Sequence, residues 1–149
     1  KDLSYLDQET KERFIPHVVE TSVGLDRTFF AILTEFYDED NLGGETRAVL
    51  RLPKKLAPIK AAVSPLLRNK PELVAKAREV YAMLKKEMMC EWDDNGNIGK
   101  RYRRQDEIGT PACVTIDFET LENDTVTVRD RDTGEQKRVA VSELMAVLR

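Results

Sequence analysis

Four residues in the stretch ETSVGLDR, numbers 20 to 27, have the types and spacing to handle a nucleotide. Gly24 has no Cβ, so a ligand can approach its backbone, and a helix starting beside it offers free N–H groups to an anion. The planar, permanently charged guanidinium of Arg27 can grip a phosphate with two parallel bonds. Glu20 can hold a magnesium ion or an amine, and Ser22 stands between them. The same letters also fit a plain helix cap with an Asp26–Arg27 surface pair and no ligand.

A second cluster lies in NGNIGKRYRRQDEIGTP, residues 95 to 111. Lys100, Arg101, Arg103 and Arg104 flank Tyr102, and Asp106 and Glu107 follow. Arginine and an aromatic ring suit single-stranded or loop RNA, whose splayed bases stack and expose their edges. A carboxylate beside them can accept a hydrogen bond from the amino group of cytosine, which a purely basic patch cannot do. A charged helix with internal ion pairs explains the pattern equally well. A third candidate is TVTVRDRDTGEQ (125 to 136), where Arg129 and Arg131 are two apart and share a strand face. Cross-strand charge pairing in a hairpin is the simpler account there. His17, Tyr81, Trp92 and Cys113 read as packing residues, because no chemical partner stands near them in sequence.

The elements that must position these groups follow from periodicity. RFIPHVVETS (13 to 22) is apolar and β-branched and reads as a buried strand ended by Gly24. Leu25, Phe29, Ile32, Leu33 and Phe36 have helical spacing, with Asp26 in the first turn where a negative charge suits the dipole. YDEDNLGGE (37 to 45) has two glycines and no periodicity, and reads as a surface linker with a domain boundary near 46. Strands are then expected at 48 to 52 and 59 to 67, the latter buried on both faces and ending at Pro65. A helix follows over 70 to 88, with Leu73, Ala77, Val80 and Leu84 as its apolar stripe and Pro71 in its first turn. A short strand near Cys90, a helix at 98 to 109, a strand at 112 to 118 and a hairpin turning at RDTG complete the order. A last helix, SELMAVL, is expected to be capped by Ser142. Residues 47 to 149 thus predict an α/β domain whose mixed sheet of about five strands is flanked by helices, preceded by a strand–helix remnant in residues 1 to 46.

Composition narrows the class. The chain has 149 residues, 41% hydrophobic and 34% charged, which suits a folded water-soluble chain. No apolar run approaches the roughly 20 residues that cross a bilayer, and the opening residues lack the apolar core of a secretory signal. Starting at Lys1 in mid-pattern, the sequence looks like a piece of something longer. Cys90 and Cys113 lie far apart, and with one histidine they offer no metal-site spacing; a reduced, cytoplasmic setting is expected. The net charge of −3 hides an asymmetry: residues 1 to 46 hold four bases against eleven acids, and residues 47 to 149 hold twenty bases against sixteen acids. The span 47 to 70 has seven bases and no acid. Either a polyanion partner or a lysine-rich solvated surface accounts for that.

Taken in order, DLSY, PHVVETSVGLDR, LAPIKAAVSPL, GNIGKRYRRQDEIGTP, VTIDFETL and DTVTVRDRDTGEQ resemble the C-terminal end of a glycyl-tRNA synthetase of the dimeric, bacterial and eukaryotic-cytosolic kind. ETSVGLDR resembles motif 3 of class II aminoacyl-tRNA synthetases, with Thr21 where the family usually has proline. The resemblance implies that Glu20 and Arg27 belong to the ATP site, Arg27 on the triphosphate, and that Ser22 and Gly24 belong to the glycine pocket. It implies that residues 47 to 149 bind the anticodon loop of glycine tRNA. On that footing Arg104, Asp106 and Glu107 are expected to read base edges, and Arg101, Arg129 and Arg131 to hold backbone phosphate.

The parent enzyme would attach glycine to tRNA through glycyl-adenylate, using ATP and Mg2+, as a homodimer with no membrane association. Motifs 1 and 2 of the class are not in this chain. No cofactor, no metal site, no catalytic residue and no pyrophosphate exchange are therefore expected of this piece alone. The same domain also occurs in non-catalytic nucleic-acid-binding accessory proteins, which is the alternative reading. The retained Glu20, Ser22 and Arg27 favour the enzyme.

Overall fold

The computed structural model describes residues 2–149, which form two compact units, one up to Ile32 and one from Leu33 to Arg149. The larger unit is built on a five-stranded sheet. Its strands are β5 (Ala61–Pro65), β6 (Cys90–Trp92), β7 (Ala112–Ile116), β8 (Thr125–Asp130) and β9 (Gln136–Ala140), in the spatial order β6-β5-β7-β8-β9. β5 pairs in parallel with both β6 and β7; β7–β8 and β8–β9 are antiparallel. The mixed five-stranded sheet anticipated from the sequence is therefore present. All five residues of β5 are buried, as befits a central parallel strand covered on both faces.

Helix α2 (Pro71–Leu84) turns Leu73, Ala77, Val80 and Leu84 onto one face of the sheet. There they meet Val63, Val114, Ile116 and Val126, closed off by Leu144 and Leu148 of α5 (Leu144–Leu148). Helix α3 (Ile98–Ile108) lies on the other face, where the Tyr102 hydroxyl bonds Thr115 Oγ1 at 2.8 Å. Thr115 alternates with Val114 and Ile116 along β7, so one strand feeds both layers. Helix α4 (Phe118–Asn123) was not anticipated. Asp117 caps it by accepting from Thr120 N at 3.1 Å, while the Thr120 hydroxyl reaches back to the Asp117 N–H. Ser142 does not cap the last helix; it sits inside a 3-10 turn, Val141–Glu143, that leads into α5.

Residues 37–45 do not form the linker expected of them. They belong to a hairpin, β3 (Tyr37–Leu42) with β4 (Glu45–Leu50), whose two-residue turn has Gly43 at φ +66° and Gly44 at φ +85°. Glycine is required there because both residues are left-handed. The acidic strand is tolerable because its partner supplies the countercharge: Asp40 stands opposite Arg47, and Arg51 donates to Asp38 at 2.7 Å. The hairpin spans the boundary expected near 46, and residues 33–46 fold with the larger unit.

In the smaller unit, β1 (Tyr5–Leu6) and β2 (Arg13–Phe14) make a two-stranded hairpin with Tyr5 and Phe14 edge-on, ring centroids 5.8 Å apart. The strand expected over 13 to 22 stops at Phe14, and Val18 and Val19 are 79% and 96% exposed. β-branched residues favour a strand only where a neighbouring strand completes the ladder. Helix α1 (Leu25–Phe36) forms where its spacing predicts, yet none of its residues is buried. Of its apolar stripe, Leu25 and Phe29 are exposed, and Ile32, Leu33 and Phe36 are half-buried.

Candidate nucleic-acid interface

Helix α3 is fixed at both ends. Asn97 accepts from Lys100 N at 2.9 Å, and Gly109 closes the helix at φ +83°. A Cβ on Gly109 would stand 2.9 Å from the Leu50 carbonyl, so this glycine lets β4 approach the helix end. Between the caps, a period of 3.6 residues sorts the side chains. Arg101, Gln105 and Asp106 turn inward and are buried, whereas Lys100, Arg103, Arg104 and Glu107, at i, i+3, i+4 and i+7, share the outer face.

That outer face opens on a recess of about 770 Å³, bounded by Tyr102, Arg103, Arg104 and Glu107, by Arg129 of β8 and by Gln136 of β9. Arg103 donates to Glu45, at the tip of the β3–β4 hairpin, at 2.9 Å, and its other terminal nitrogen has no partner among the described residues. Arg104 grips Asp93 through Nε at 3.0 Å and Nη2 at 2.8 Å, and its side chain remains 42% exposed. Lys100 and Glu107 are exposed and unpaired among the described residues. The guanidinium of Arg129 lies 4.8 Å from the Tyr102 ring centroid. Cationic groups, one free carboxylate and an aromatic ring thus share one concavity, and together they suit a polyanion with exposed bases.

Beneath the recess lies a web of buried charge. Asp106, 1% exposed, accepts from Arg47 at 2.8 Å and from both terminal nitrogens of Arg129 at 2.8 and 3.0 Å. Arg131 donates to the carbonyls of Leu52 and Gly109 at 2.9 and 3.0 Å and pairs with Asp132. Arg101 donates to the carbonyls of Pro65, Asp94 and Gly96. These placements correct four expectations. Asp106 cannot present its carboxylate to a base edge, because two arginines already occupy it. Arg101, Arg129 and Arg131, at 2%, 5% and 3% exposure, offer no open guanidinium fork to phosphate. Arg104 and Glu107 do face the recess. Lys100, Tyr102 and Arg103, also there, were visible in the sequence as a basic cluster but not singled out. Helical phase separates Lys100 and Arg103 from Arg101 and Asp106; Tyr102 shares the inner phase, with its hydroxyl on Thr115, and lines the recess from that side.

The N-terminal candidates form no bonded cluster, although the Arg27 side chain passes close to Gly24. Glu20, Ser22, Gly24 and Arg27 are all exposed, and among the described residues no hydrogen bond or ion pair joins any two of them. Asp26 and Arg27 form no ion pair there either, and the first turn of α1 is held by Thr28, whose hydroxyl donates to the Gly24 carbonyl at 2.9 Å. In this chain the four residues do not enclose a nucleotide. No group of three or more His, Cys, Asp or Glu side chains is placed to hold a metal ion among the described residues. Burial pushes the Cys113 thiol up to about 12, which keeps it in its thiol form. No helix is long and apolar enough to cross a membrane among the described residues.

A sheet with paired parallel strands, a basic helix across one face and an antiparallel extension define a known class. Residues 60–149 match the anticodon binding domain, and the chain belongs to that family. Its relatives are more specific. The chain is 53% identical over 145 residues to the glycine–tRNA ligase of Clostridium beijerinckii, covering 97% of this chain and 31% of the relative. It is 54% identical over 143 residues to that of Chlorobaculum tepidum, covering 96% of this chain and 30% of the relative. With that of Thermobifida fusca it shares 55% over 148 residues, 96% of this chain and 32% of the relative. The chain therefore spans about a third of the length of these curated relatives.

Proposed function

We propose that this chain is the anticodon-reading part of a glycine–tRNA ligase, and that the recess on α3 receives the anticodon loop of glycine tRNA. The observation that carries the reading is the outer face of α3, where Lys100, Arg103, Arg104 and Glu107 line one concavity together with the half-buried Tyr102, within the family-matched span. Tyr102 offers a ring against which a base can stack. Glu107 accepts a hydrogen bond from an exocyclic amino group, and the outer lysine and arginines neutralise the backbone. In the whole protein, glycine would be joined to tRNA with ATP and Mg2+ through glycyl-adenylate, by a cytoplasmic homodimer. Glu20 and Arg27 would serve ATP there and Ser22 and Gly24 would serve glycine, once further chain completes a pocket that this stretch does not close by itself.

The test is binding of anticodon stem-loops with normal and altered loop sequences. The normal loop is expected to bind at least tenfold tighter, and Glu107→Gln to shrink that preference by about tenfold, the scale of one good base contact. Equal binding of normal and altered loops by the unsubstituted chain would remove base reading from this surface.

A further inference from the structure

Four arginines are buried in the larger unit: Arg47, Arg101, Arg129 and Arg131. Three have a carboxylate in contact: Arg47 with Asp40 and Asp106, Arg129 with Asp106, and Arg131 with Asp132. Arg101 has none among the described residues. At 2% exposure its guanidinium donates to three main-chain carbonyls, and its Nε has no hydrogen-bond partner among the described residues. A buried cation that no carboxylate touches gains from an anion brought close to it. Burial, more than any neighbour, holds the Arg101 pKa below its ordinary value; Asp93 and Asp94, nearby but not in contact, oppose that shift, and Arg104 and Arg68 add to it less strongly.

The surroundings of Arg101 are open to such an anion. It lines a crevice of about 570 Å³ between the loop that follows β5 and the loop that follows β6, together with Arg68, Asn69, Asn97 and Ile98. α2 and α3 cover opposite faces of the sheet, so these two loops leave the carboxyl ends of adjacent parallel strands in opposite directions. Sheets of this kind open a ligand crevice where that happens. The crevice also receives the N-terminus of α3, an 11-residue helix whose Asn97 cap satisfies only Lys100 N. The amides of Ile98 and Gly99 make no hydrogen bond among the described residues, and the helix dipole favours negative charge there. Arg68, exposed and unpaired, stands on the facing loop.

We propose that this crevice is a second subsite, for a phosphodiester of the bound RNA, held by the amide of Ile98 and by Arg68, with the buried charge of Arg101, which no carboxylate touches, behind them. Its assignment to RNA rests on the anticodon-loop reading above. The recess reads bases from the outer face of α3, and the crevice fixes the strand at the end of the same helix. It contributes affinity and no sequence preference.

Two measurements on the whole chain test this separately from the anticodon reading. In the first, 15N-labelled protein is titrated with inorganic phosphate at constant ionic strength, with chloride as control. The Ile98 amide and the Arg101 Nε–H are expected to shift saturably with phosphate alone. Arg68→Ala should weaken that binding about fivefold or more, and Arg68→Lys should restore part of it. Shifts that are linear, or identical in chloride, overturn the subsite whatever the RNA results are. In the second, stem-loop affinity is followed against salt. Arg68→Ala is expected to lower the slope of log K against log salt by about 0.7 to 0.9, one phosphate contact, and to weaken normal and altered loops equally. Saturable phosphate binding with an unchanged slope would overturn the RNA assignment. A lost slope with no loop preference in the parent chain would keep the subsite and overturn base reading.

Discussion

The two faces of α3 carry nearly the same residue types and do opposite work. The inner face holds Arg101 and Asp106 within 2% of complete burial, each locked by several hydrogen bonds. The outer face holds Lys100, Arg103, Arg104 and Glu107 with room to exchange partners at a recess. An arginine is a recognition group only while its donors are free. On the inside, Arg47, Arg129 and Arg131 tie the β3–β4 hairpin, the α3 end and β8 together, so that the outer face has a fixed shape to present. Substitutions on the inside should therefore appear in stability, and substitutions on the outside in RNA binding.

The largest effect is expected at Asp106. Asp106→Ala leaves the Arg129 guanidinium without a carboxylate and takes one of two from Arg47. Removing one partner of a buried ion pair costs about 3–5 kcal/mol, and urea denaturation should show it in the midpoint at unchanged slope. Replacing the web by matched apolar groups, as in Asp106→Leu with Arg129→Met, should recover part of that loss because no charge is then stranded. A loss under about 1 kcal/mol for Asp106→Ala would mean the web is hydrated, and the contrast between the faces would fall with it.

A smaller effect separates the rim of the web from its centre through pH. The hydrogen bond from Arg47, with further help from Arg51, holds the Asp40 carboxyl at about 2, below the 3.8 of an unperturbed aspartate. A depressed carboxyl favours the folded state above its unfolded value, and that contribution disappears as pH falls through the folded value. The β3–β4 hairpin should thus loosen between about pH 4 and pH 2, seen as faster hydrogen exchange at Asp38–Asp40 ahead of the β5–β7 core. Asp40→Asn should flatten this dependence. Simultaneous loss of hairpin and core protection would place the hairpin inside the central cooperative unit.

Much of this was legible in the sequence, and the gaps have physical causes. The α2 stripe, the doubly buried β5 and the β8–β9 hairpin follow from periods of 3.6 and 2 and from apolar runs between breakers. β3 was hidden because an acidic strand makes sense only opposite its arginines, and the pairing of Asp40 with Arg47 is a fact of register, seven residues away. α4 was missed although Asp117 and Thr120 spell its capping box, since six residues give no periodic signal. In the N-terminal unit the error ran the other way: Val18, Val19 and Phe29 have strand and helix propensity, but propensity alone does not supply the neighbour that buries them. At the interface the composition pointed to the correct helix, and treating its charges as one set concealed that Arg101 and Asp106 are out of phase with Arg104 and Glu107.

The smallest expected change in stability is also the sharpest test of the division between the faces. Lys100 is exposed, pairs with nothing among the described residues and lies on the outer face one turn before Arg104. Lys100→Ala should leave the unfolding free energy within about 0.5 kcal/mol, as expected of a surface site without partners. It should still reduce the salt slope of stem-loop binding by about 0.7 to 0.9 and weaken every loop sequence alike, because an ammonium contacts phosphate as a point charge. Glu107→Gln, seven residues on and also exposed, should do the reverse, leaving the slope in place and altering which loop is preferred. If Lys100→Ala changed the loop preference while Glu107→Gln changed only the slope, the polarity of the recess would be reversed. Bases would then enter at the start of α3, and the crevice beside Arg101 would have to take a base rather than a phosphate.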